Sequence, residues 1–498
     1  MATVKPRRAS ELRNAQRFRV WDGVFAKGVE TLTSGAFLAG FALALGADSV
    51  QIGLIAAIPF LAQVVNVPAI WIVERVRRRR LLCLIGSSVS RSLWIPIALS
   101  PFVLPPHQAL IVLMAALGLA ATIATVSNLS WNSWMKDLLP GALRGRLFSS
   151  RLWAMGVAGM GLSMAGAFVV DIWKPDDPLL PLSTLFAVGA VLGWIGLAFL
   201  ARIPEPTMPI HSGFSLRAAL AEPFRDQRFR QLIGFTSAWA FATNMALPFI
   251  PVYMLSVLGY PFSYVMGFTV ASQLANLALL QIWGRLADRY GNKAVLTVCA
   301  PVFSVAILLW ALTVGDHSPW ITLSLIGLIH VMMGMAVAGI DVANSNVLYH
   351  LAPQRQSSAY FSAAALVNSL AAGIAPILGG LLASVLTDRA LTLSWGSIGE
   401  TGRWTLVEIS RLDFVFLAAF LVGLIALSRL GRVRERAQEA SNAQVIKSLK
   451  DEVTNLSTIK GMRYLTQTAS FFAGLLLESG TVVTGSASAH GDDEDEAC

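Results

Sequence analysis

Long apolar segments separated by short polar ones run along almost the whole chain. Twelve of these segments are long enough to cross the hydrocarbon core of a membrane, which takes about 20 residues in a helix. In lipid only helices and closed barrels satisfy every backbone group, and these segments lack the short alternation of barrel strands. The pattern therefore predicts an all-α membrane protein, with spans at 21–46, 50–73, 81–103, 107–135, 147–172, 181–202, 231–258, 262–283, 293–314, 319–349, 358–386 and 412–430.

Composition indicates the same class of protein. Hydrophobic residues make up 55% of the chain and charged residues 13%, whereas soluble domains carry about 25% charged residues. Cys83, Cys299 and Cys498 are far apart in the sequence, which argues against a disulfide framework or a metal site. The sequence also lacks the phosphate-binding loops and catalytic motifs of common enzymes. We expect a membrane protein that is not an enzyme and that uses no metal or cofactor.

Lysine and arginine are distributed unevenly between the two sides of the predicted helices. Of the 38 Lys and Arg, 32 fall in the N-terminal segment, the tail and the loops of one side, and only 4 fall on the other side. Loops rich in these residues remain in the cytoplasm, so both termini are predicted to be cytoplasmic. The same bias accounts for the net charge of +9, and no nucleic-acid partner is expected.

A charged turn that contains glycine joins the eighth apolar segment to the ninth: Gly284-Arg285-Leu286-Ala287-Asp288-Arg289-Tyr290-Gly291-Asn292-Lys293. A similar turn joins the second segment to the third, where Glu74 precedes Asp288 by 214 residues. Other landmarks repeat at 213 or 214 residues, namely Leu45-Gly46 with Leu258-Gly259, Gly53 with Gly267, and Pro140 with Pro353. A repeat of this length indicates a duplicated domain rather than a solenoid.

This turn resembles the loop between the second and third helices of each half in the major facilitator superfamily. The residues that match the family's G-x-x-x-D-R-x-G-x-K pattern are Gly284, Asp288, Arg289, Gly291 and Lys293. The resemblance covers about residues 15 to 435. It implies a fold of twelve transmembrane helices, arranged as two pseudo-symmetric six-helix bundles.

The copy of this turn in the first half is less complete. It keeps the acid, Glu74, and the following Arg75. It has Ile70 and Arg77 at the two positions where the family has glycines. We therefore expect the conformation of the first turn to differ from that of the second.

The resemblance divides the chain into five parts. These are a cytoplasmic N-terminal segment, a first bundle, a cytoplasmic linker, a second bundle and a cytoplasmic tail, at 1–20, 21–202, 203–230, 231–430 and 431–498. It implies a monomeric secondary active transporter in the lipid bilayer of a bacterial cytoplasmic membrane. Such a protein moves a small molecule by alternating access, coupled to protons by symport or antiport. The alternative is a non-transporting sensor or assembly factor of the same fold that acts through its C-terminal tail.

The resemblance also implies that the charged turns form a conformational latch. Glu74 and Asp288 would each meet the N-terminal dipole of a helix in the other half, near 357–358 and 149–150 respectively. Contacts between an anion and a helix dipole are worth about 0.3–1 kcal/mol and up to ~2 kcal/mol when partly buried. Arg144 would supply a basic partner on the same face.

Ionisable residues are rare in the predicted spans, and each is a functional candidate because a charge in lipid is costly. Glu30 lies about 14 Å into span 1, and Asp341 lies about 12 Å from the cytoplasmic end of span 10, at 1.5 Å per residue. We predict that one of these carboxyls binds substrate or exchanges a proton during transport. The competing interpretation is a structural hydrogen bond between spans. Lys27 is expected to neutralise Glu30 locally.

Three further ionisable residues allow more than one interpretation. Arg91 in span 3 is a candidate counter-ion for Glu30 or a donor to a helix carbonyl. His330 in span 10 is either a proton relay or a packed polar residue. Asp22, at the cytoplasmic edge of span 1, is interpreted as an interfacial or capping residue.

Polar residues also occur in the spans that line the central cavity in this family, namely spans 1, 4, 7 and 10. Folds of this kind hold their substrate near the midplane, between the repeats. Candidate substrate-binding residues are therefore Asn128 and Asn132 in span 4, Asn244 in span 7 and Asn344 in span 10. Hydrogen bonds within the protein are the competing interpretation for each. Nothing in the sequence identifies the substrate.

Overall fold

The computed structural model describes residues 6–138, 141–173, 177–207, 222–313, 318–353, 357–395, 404–433 and 442–456. The chain forms two compact units, Met1–Val445 and Ile446–Cys498. The first unit contains both predicted bundles. Among the described residues of the second unit, helix continues from residue 446 to residue 456.

The first half of the chain folds into nine described helices. Proline accounts for two of their junctions, because Pro68 and Pro96 have no N–H to donate to the residue four positions earlier. A 3-10 turn at Gln63–Val65 therefore precedes α4, and α5 ends shortly before Pro96. The helices are α1 (Pro6–Thr33), α2 (Gly35–Ala44), α3 (Ser49–Ala62), α4 (Asn66–Val76), α5 (Arg79–Ser92), α6 (Trp94–Val103), α7 (Pro106–Leu138), α8 (Gly141–Trp173) and α9 (Leu179–Leu200).

The second half repeats this arrangement. Its helices are α10 (Gln227–Ala246), α11 (Phe249–Ser256), α12 (Phe262–Tyr290), α13 (Asn292–Trp310), α14 (Pro319–Leu351), α15 (Ser357–Val385) and α16 (Asp413–Leu430). Asp226 caps α10 by accepting the N–H of Arg228 at 2.8 Å. Pro248 separates α10 from α11. The tail contributes α17 (Asn442–Leu456).

Within the described residues, eleven segments are helical, long and apolar enough to cross a membrane. The predicted first span is not among these. It is divided at Ser34 into α1, which carries Asp22, Lys27 and Glu30, and α2, which has only 10 residues. Two hydroxyls occupy carbonyls in the last turns of α1, since Thr33 Oγ1 donates to Val29 O at 2.7 Å and Ser34 Oγ donates to Glu30 O at 2.6 Å. The chain then turns through Gly35, whose φ of 59° is accessible to glycine at little cost.

A short antiparallel hairpin, which the apolar pattern does not predict, follows α15. Strand β1 (Ala390–Trp395) pairs with β2 (Trp404–Ser410), and Ala390 lies opposite Ser410. We call the end of the bundle that carries this hairpin the hairpin end. The opposite end, where residues 203–207 leave α9 and residues 222–226 lead into α10, is the linker end.

The two halves pack against each other through α3 with α15, α8 with α12, and α2 with α11. Small residues allow the first of these contacts to be close. A Cβ atom at Gly53 would overlap the backbone of Pro376, and one at Gly380 would overlap the backbone of Ser49. Helices in membranes commonly approach each other through residues of this size.

Candidate functional site

A cavity of about 240 Å³ lies between the two halves, and we call it the central cavity. α1, α2 and α8 contribute its wall from the first half, and α11, α12 and α14 contribute the wall from the second half. Its polar lining residues are Lys27, Glu30, Thr31, Ser34, Ser163, Thr269, Gln273 and His330. Two of the sequence-predicted residues, Glu30 and His330, therefore share one cavity although they are 300 residues apart.

Glu30 is paired with Lys27, as the sequence predicts. Lys27 Nζ lies 2.8 Å from Glu30 Oε1, one helical turn away. The Glu30 side chain is 59% exposed and that of Lys27 29% exposed, so water reaches both charges. An exposed pair of this kind contributes little to stability, about 0–1 kcal/mol. Its position on the cavity wall, rather than its strength, makes it a candidate site for substrate or protons.

His330 is buried between aromatic rings on the opposite wall of the central cavity. Its ring centroid lies 5.4 Å from that of Phe268 and 5.5 Å from that of Trp310. Its Nδ1 lies 3.0 Å from the carbonyl of Ile326, which can only accept, so Nδ1 carries the hydrogen. The neutral ring then presents Nε2 as an acceptor.

A second cavity, of about 450 Å³, is formed by α10, α14 and α15 of the second half alone, and we call it the C-half cavity. Asp341, Asn244 and Asn344 line it together. Asp341 is exposed and makes no hydrogen bond or ion pair with the residues that the structure describes. His330 and Asp341 are 11 residues apart on α14, so the two candidate sites are separated by about 16 Å along that helix.

Arg91 lies elsewhere, in a buried charge cluster of the first half. It donates to the carbonyl of Gly193 at 2.6 Å, and its guanidinium lies 4.0 Å from Asp22. Arg151 of α8 lies 3.6 Å from the other oxygen of Asp22. The Arg91 side chain therefore meets both a carbonyl and an acid, but that acid is Asp22 and not Glu30.

Asp22 is the main residue whose role the sequence interpretation missed. It is 3% exposed, not interfacial, and joins α1 to α5 and α8. Arg151 is also held by contacts to two neighbours: its Nε donates to Arg19 O at 3.2 Å and its guanidinium lies 4.4 Å from the Trp131 ring. The signal was available in part, because Arg91 falls inside predicted span 3 and requires an acid.

Asn128 and Asn132 of α7 line neither the central cavity nor the C-half cavity. Both are exposed. Asn128 follows the exposed Leu119 by nine residues, which places the two on opposite sides of α7 at 3.6 residues per turn. The two asparagines therefore lie on the side of α7 that faces away from the exposed Leu119.

The charged turns lie at the linker end. The side chains of Glu74 and Asp288 make no hydrogen bond or ion pair with the described residues. The Arg144 side chain and those at 149–150 and 357–358 lie outside the part that the structure describes. Arg75 lies 5.1 Å from the Trp71 ring, Arg289 lies 5.1 Å from the Tyr290 ring, and Lys293 donates to Gly431 O at 3.3 Å.

Both turns have a residue with positive φ at matching positions. Gly291 has φ 89° and ψ 155°, a region that essentially only glycine occupies. Arg77, where the family has glycine, has φ 54° and ψ 5°. A left-handed conformation costs a non-glycine residue roughly 1–2 kcal/mol. Gly284 has open space beside it, so a close approach does not explain glycine at that position.

At the hairpin end, hydrogen bonds join the two halves directly. Asp171 of α8 accepts the N–H of Phe262 at 2.8 Å and that of Ser263 at 2.7 Å, at the start of α12. Arg411, beside the hairpin, donates to Ser49 Oγ at 2.9 Å. The rings of Phe37 and Phe262 stack with centroids 6.0 Å apart. The sequence interpretation singled out none of these residues.

Comparisons with known proteins agree with this architecture. The model of the Major Facilitator Superfamily matches residues 23–333 and 268–489. An efflux pump, dotC, of Dothistroma septosporum is 28% identical over 146 residues, which are 29% of this chain. That match spans only 23% of the length of the fungal protein.

Solved structures similar to this one include three transport proteins. The nucleoside transporter NupG is 15% identical with a TM-score of 0.62, covering 85% of this chain and 98% of that one. The D-xylose-proton symporter is 14% identical with a TM-score of 0.62, covering 86% and 99%. A bacterial homologue of the iron transporter ferroportin, in an inward-facing state, is 10% identical with a TM-score of 0.63, covering 86% and 99%. These similarities confirm the predicted all-α fold of this superfamily, whereas the count of twelve spans stays a prediction.

Proposed function

Because the chain belongs to the major facilitator superfamily, we propose that it is a secondary active transporter that moves a small molecule across a membrane by alternating access. The observation that carries the proposal is the central cavity. Its walls come from both halves, so a rocking of one half against the other would open it to one side or the other. A ligand held between Glu30 and His330 would then be exposed to each side in turn.

The proposal includes an orientation. We infer that the linker end faces the cytoplasm of a bacterial cell and that the hairpin end faces outward, because the excess of Lys and Arg lies on the linker side. The contacts of Asp171 and Arg411 at the hairpin end would then belong to a state closed toward the outside. Impermeant thiol reagents test this orientation. They should label G399C in intact cells and should miss Cys498, and the reverse pattern would invert the topology.

A latch at the linker end would hold the alternate state. The helix starts that Asp288 and Glu74 would meet, near 149–150 and 357–358, have side chains outside the part that the structure describes, so these contacts are part of the proposal. On closure each acid would meet a helix start in the other half, as the family resemblance implies. The gain of about 0.3–1 kcal/mol per contact is enough to shift the balance between two states that differ by a few kcal/mol.

Proton coupling is the third element of the proposal. A carboxyl that exchanges a proton must be reachable by water and sensitive to the conformational state. Glu30 satisfies both conditions because it lies in the central cavity. Among the described residues, no lysine or arginine lines the cavity of Asp341. His330 would accept a proton at Nε2 within the same cavity as Glu30.

Transport itself is tested in liposomes with purified protein. A ligand screen by thermal shift supplies candidate substrates, and a candidate should then accumulate against its gradient when an opposing or parallel proton gradient is imposed. A variant truncated after residue 441 distinguishes a transporter from a sensor or assembly factor. A transporter should keep its flux without α17 and the rest of the tail. A sensor or assembly factor that acts through the tail should bind ligand without flux, and truncation should abolish its activity.

A further inference from the structure

The C-half cavity contains hydrogen-bond acceptors that the protein leaves unused. The Asp341 carboxylate has no partner among the described residues. One turn away, Asn344 Oδ1 is buried and also lacks a hydrogen-bond partner. Across the cavity, Asn244 donates its Nδ2 to Ala240 O at 2.8 Å, which leaves its Oδ1 as an acceptor. The cavity therefore presents the Asp341 carboxylate and Asn244 Oδ1 as acceptors from two helices, whereas Asn344 Oδ1 is itself closed off from solvent.

Two of the four hydroxyls that line this cavity already donate within the protein. Thr236 Oγ1 donates to Asn368 Oδ1 at 3.0 Å, and Thr243 Oγ1 donates to Trp239 O at 3.0 Å. Among the described lining residues, Asp341 carries the only formal charge. The local field is therefore negative and is not compensated by a lysine or arginine of the cavity wall.

Aromatic rings lie beside these acceptors. Tyr349 and Phe361 form a tilted pair with ring centroids 4.7 Å apart, and Trp239 also lines the cavity. Tyr349 is 68% exposed, so its face is available to a ligand. Aromatic faces attract cations and also pack against apolar groups. The volume of about 450 Å³ falls in the usual range of small-molecule sites.

We propose that the C-half cavity binds an organic amine in its ammonium form, with the ammonium group on Asp341 and Asn244 and an apolar, aromatic body against Tyr349 and Phe361. A primary ammonium has three N–H donors, which the two Asp341 carboxylate oxygens and Asn244 Oδ1 can accept. The inference rests on the proposed transport function, because such a ligand would be the substrate or the charged part of it.

The alternatives are weaker on the same observations. An anion would be repelled by Asp341 and would find no lysine or arginine among the lining residues. A neutral polyol would satisfy the acceptors but leave the carboxylate charge uncompensated in a partly apolar cavity. A proton and an ammonium would compete for Asp341, since either one neutralises the carboxylate. Binding of the amine would then displace the proton from Asp341, and no further residue would be needed for this exchange.

The test measures binding to the purified full-length protein in detergent, by calorimetry and by thermal shift. The probes are a homologous series of phenylalkylamines and the corresponding phenylalkanols, which replace –NH₃⁺ by –OH at nearly the same size. At least one amine should bind about tenfold more tightly than its alcohol, because hydrogen bonds to charged groups are the strong ones. Equal binding of amine and alcohol, or no binding of any amine, would overturn the proposal.

Matched variants identify the site. Asp341→Asn should remove the preference for amines, Asp341→Glu should retain it, and Asp388→Asn, which removes an exposed acid at the hairpin end, should leave it unchanged. Asn244→Leu removes the second acceptor of the cavity wall, so this variant should bind amines less tightly. Amine preference that survives in both Asp341→Asn and Asn244→Leu would place the site elsewhere.

Flux measurements separate this inference from the transport proposal. If amines bind in an Asp341-dependent manner and no amine crosses the membrane of proteoliposomes, the site stands and transport fails. If a neutral molecule is transported and no amine binds, transport stands and the assignment of the ligand class fails.

Discussion

Asp171, at the end of α8 in the first half, accepts the backbone N–H of Phe262, the first residue of α12 in the second half, at a distance of 2.8 Å. Its second oxygen accepts the next N–H, that of Ser263, at 2.7 Å. The first N–H groups of a helix have no partner within the helix, so a carboxylate there satisfies them and also meets the positive end of the helix dipole. In a transporter that alternates between two states, this contact has to break whenever the hairpin end opens.

Asp171→Asn should therefore shift the protein toward states open at the hairpin end. The loss of one charged contact to a helix start corresponds to about 1 kcal/mol, or roughly a fivefold change in the population ratio. Spin labels at V103C and V257C, two exposed positions of the two halves near this end, report the change as a population at longer distance.

A matched control for this prediction exists in the first half. Asp177 accepts the N–H of Leu179 at 3.1 Å at the start of α9. It is therefore a carboxylate cap like Asp171, but both of its partners belong to the first half. Asp177→Asn should leave the distance between the labels unchanged. If both variants lengthen it equally, local fraying rather than an inter-half contact explains the result.

Asp288→Asn should shift the same equilibrium through the opposite end of the bundle, the linker end. If Asp288 closes that end by meeting a helix start of the first half, its neutralisation favours states open at the linker end by about 1 kcal/mol, roughly fivefold. Labels at R78C and R432C, both exposed near this end, would show a larger population at long distance. An unchanged distance distribution in Asp288→Asn would remove Asp288 from the latch.

Asp22→Asn should destabilise the first half strongly. The substitution removes the acid from between Arg91 and Arg151, which are 11% and 12% exposed, and leaves their charges uncompensated. Removing one partner of a buried ion pair costs about 3–5 kcal/mol. Glu30→Gln is the matched control, because it removes an acid of the same helix whose pair with Lys27 is exposed, and it should cost less than about 1 kcal/mol. Melting temperatures of the two purified variants should therefore differ clearly, and similar values would contradict the buried cluster.

The positive-φ residues of the two turns should respond in opposite directions. Gly291→Ala places a side chain at φ 89° and ψ 155° and should lower the stability by about 1–3 kcal/mol. Arg77→Gly relieves a left-handed residue at φ 54° and should raise the stability by about 1 kcal/mol, partly offset by the greater freedom of glycine in the unfolded chain. Thermal denaturation of both variants checks the signs. A loss of stability in Arg77→Gly would mean that the hydrogen bond of Arg77 Nε to Glu74 O outweighs the strain.

The sequence predicts the fold well because the lipid environment permits few alternatives. Apolar length gives the spans, and the pairing of Lys27 with Glu30 follows from their spacing on one helix. Asp22 lies 69 positions from Arg91 and 129 positions from Arg151 in the sequence, and Asp171 lies 91 positions from Phe262. Neither hydrophobicity nor periodicity carries information about such distant partners. The hairpin was missed for a different reason, since its strands are short and lie in a loop between two spans.

Asp341→Asn and Glu30→Gln together test proton coupling. Both substitutions keep the size of the side chain and its hydrogen-bonding capacity, but neither product can bind or release a proton near neutral pH. If Asp341 carries the exchanged proton, Asp341→Asn should abolish accumulation driven by a proton gradient in proteoliposomes, while Glu30→Gln keeps it. The reverse result would assign coupling to Glu30 in the central cavity. The readout is a pH-sensitive dye inside the vesicles, recorded as substrate is added, so that proton movement is measured separately from substrate binding. Full uphill transport in both variants would show that neither carboxyl couples protons and that their roles are limited to binding or structure.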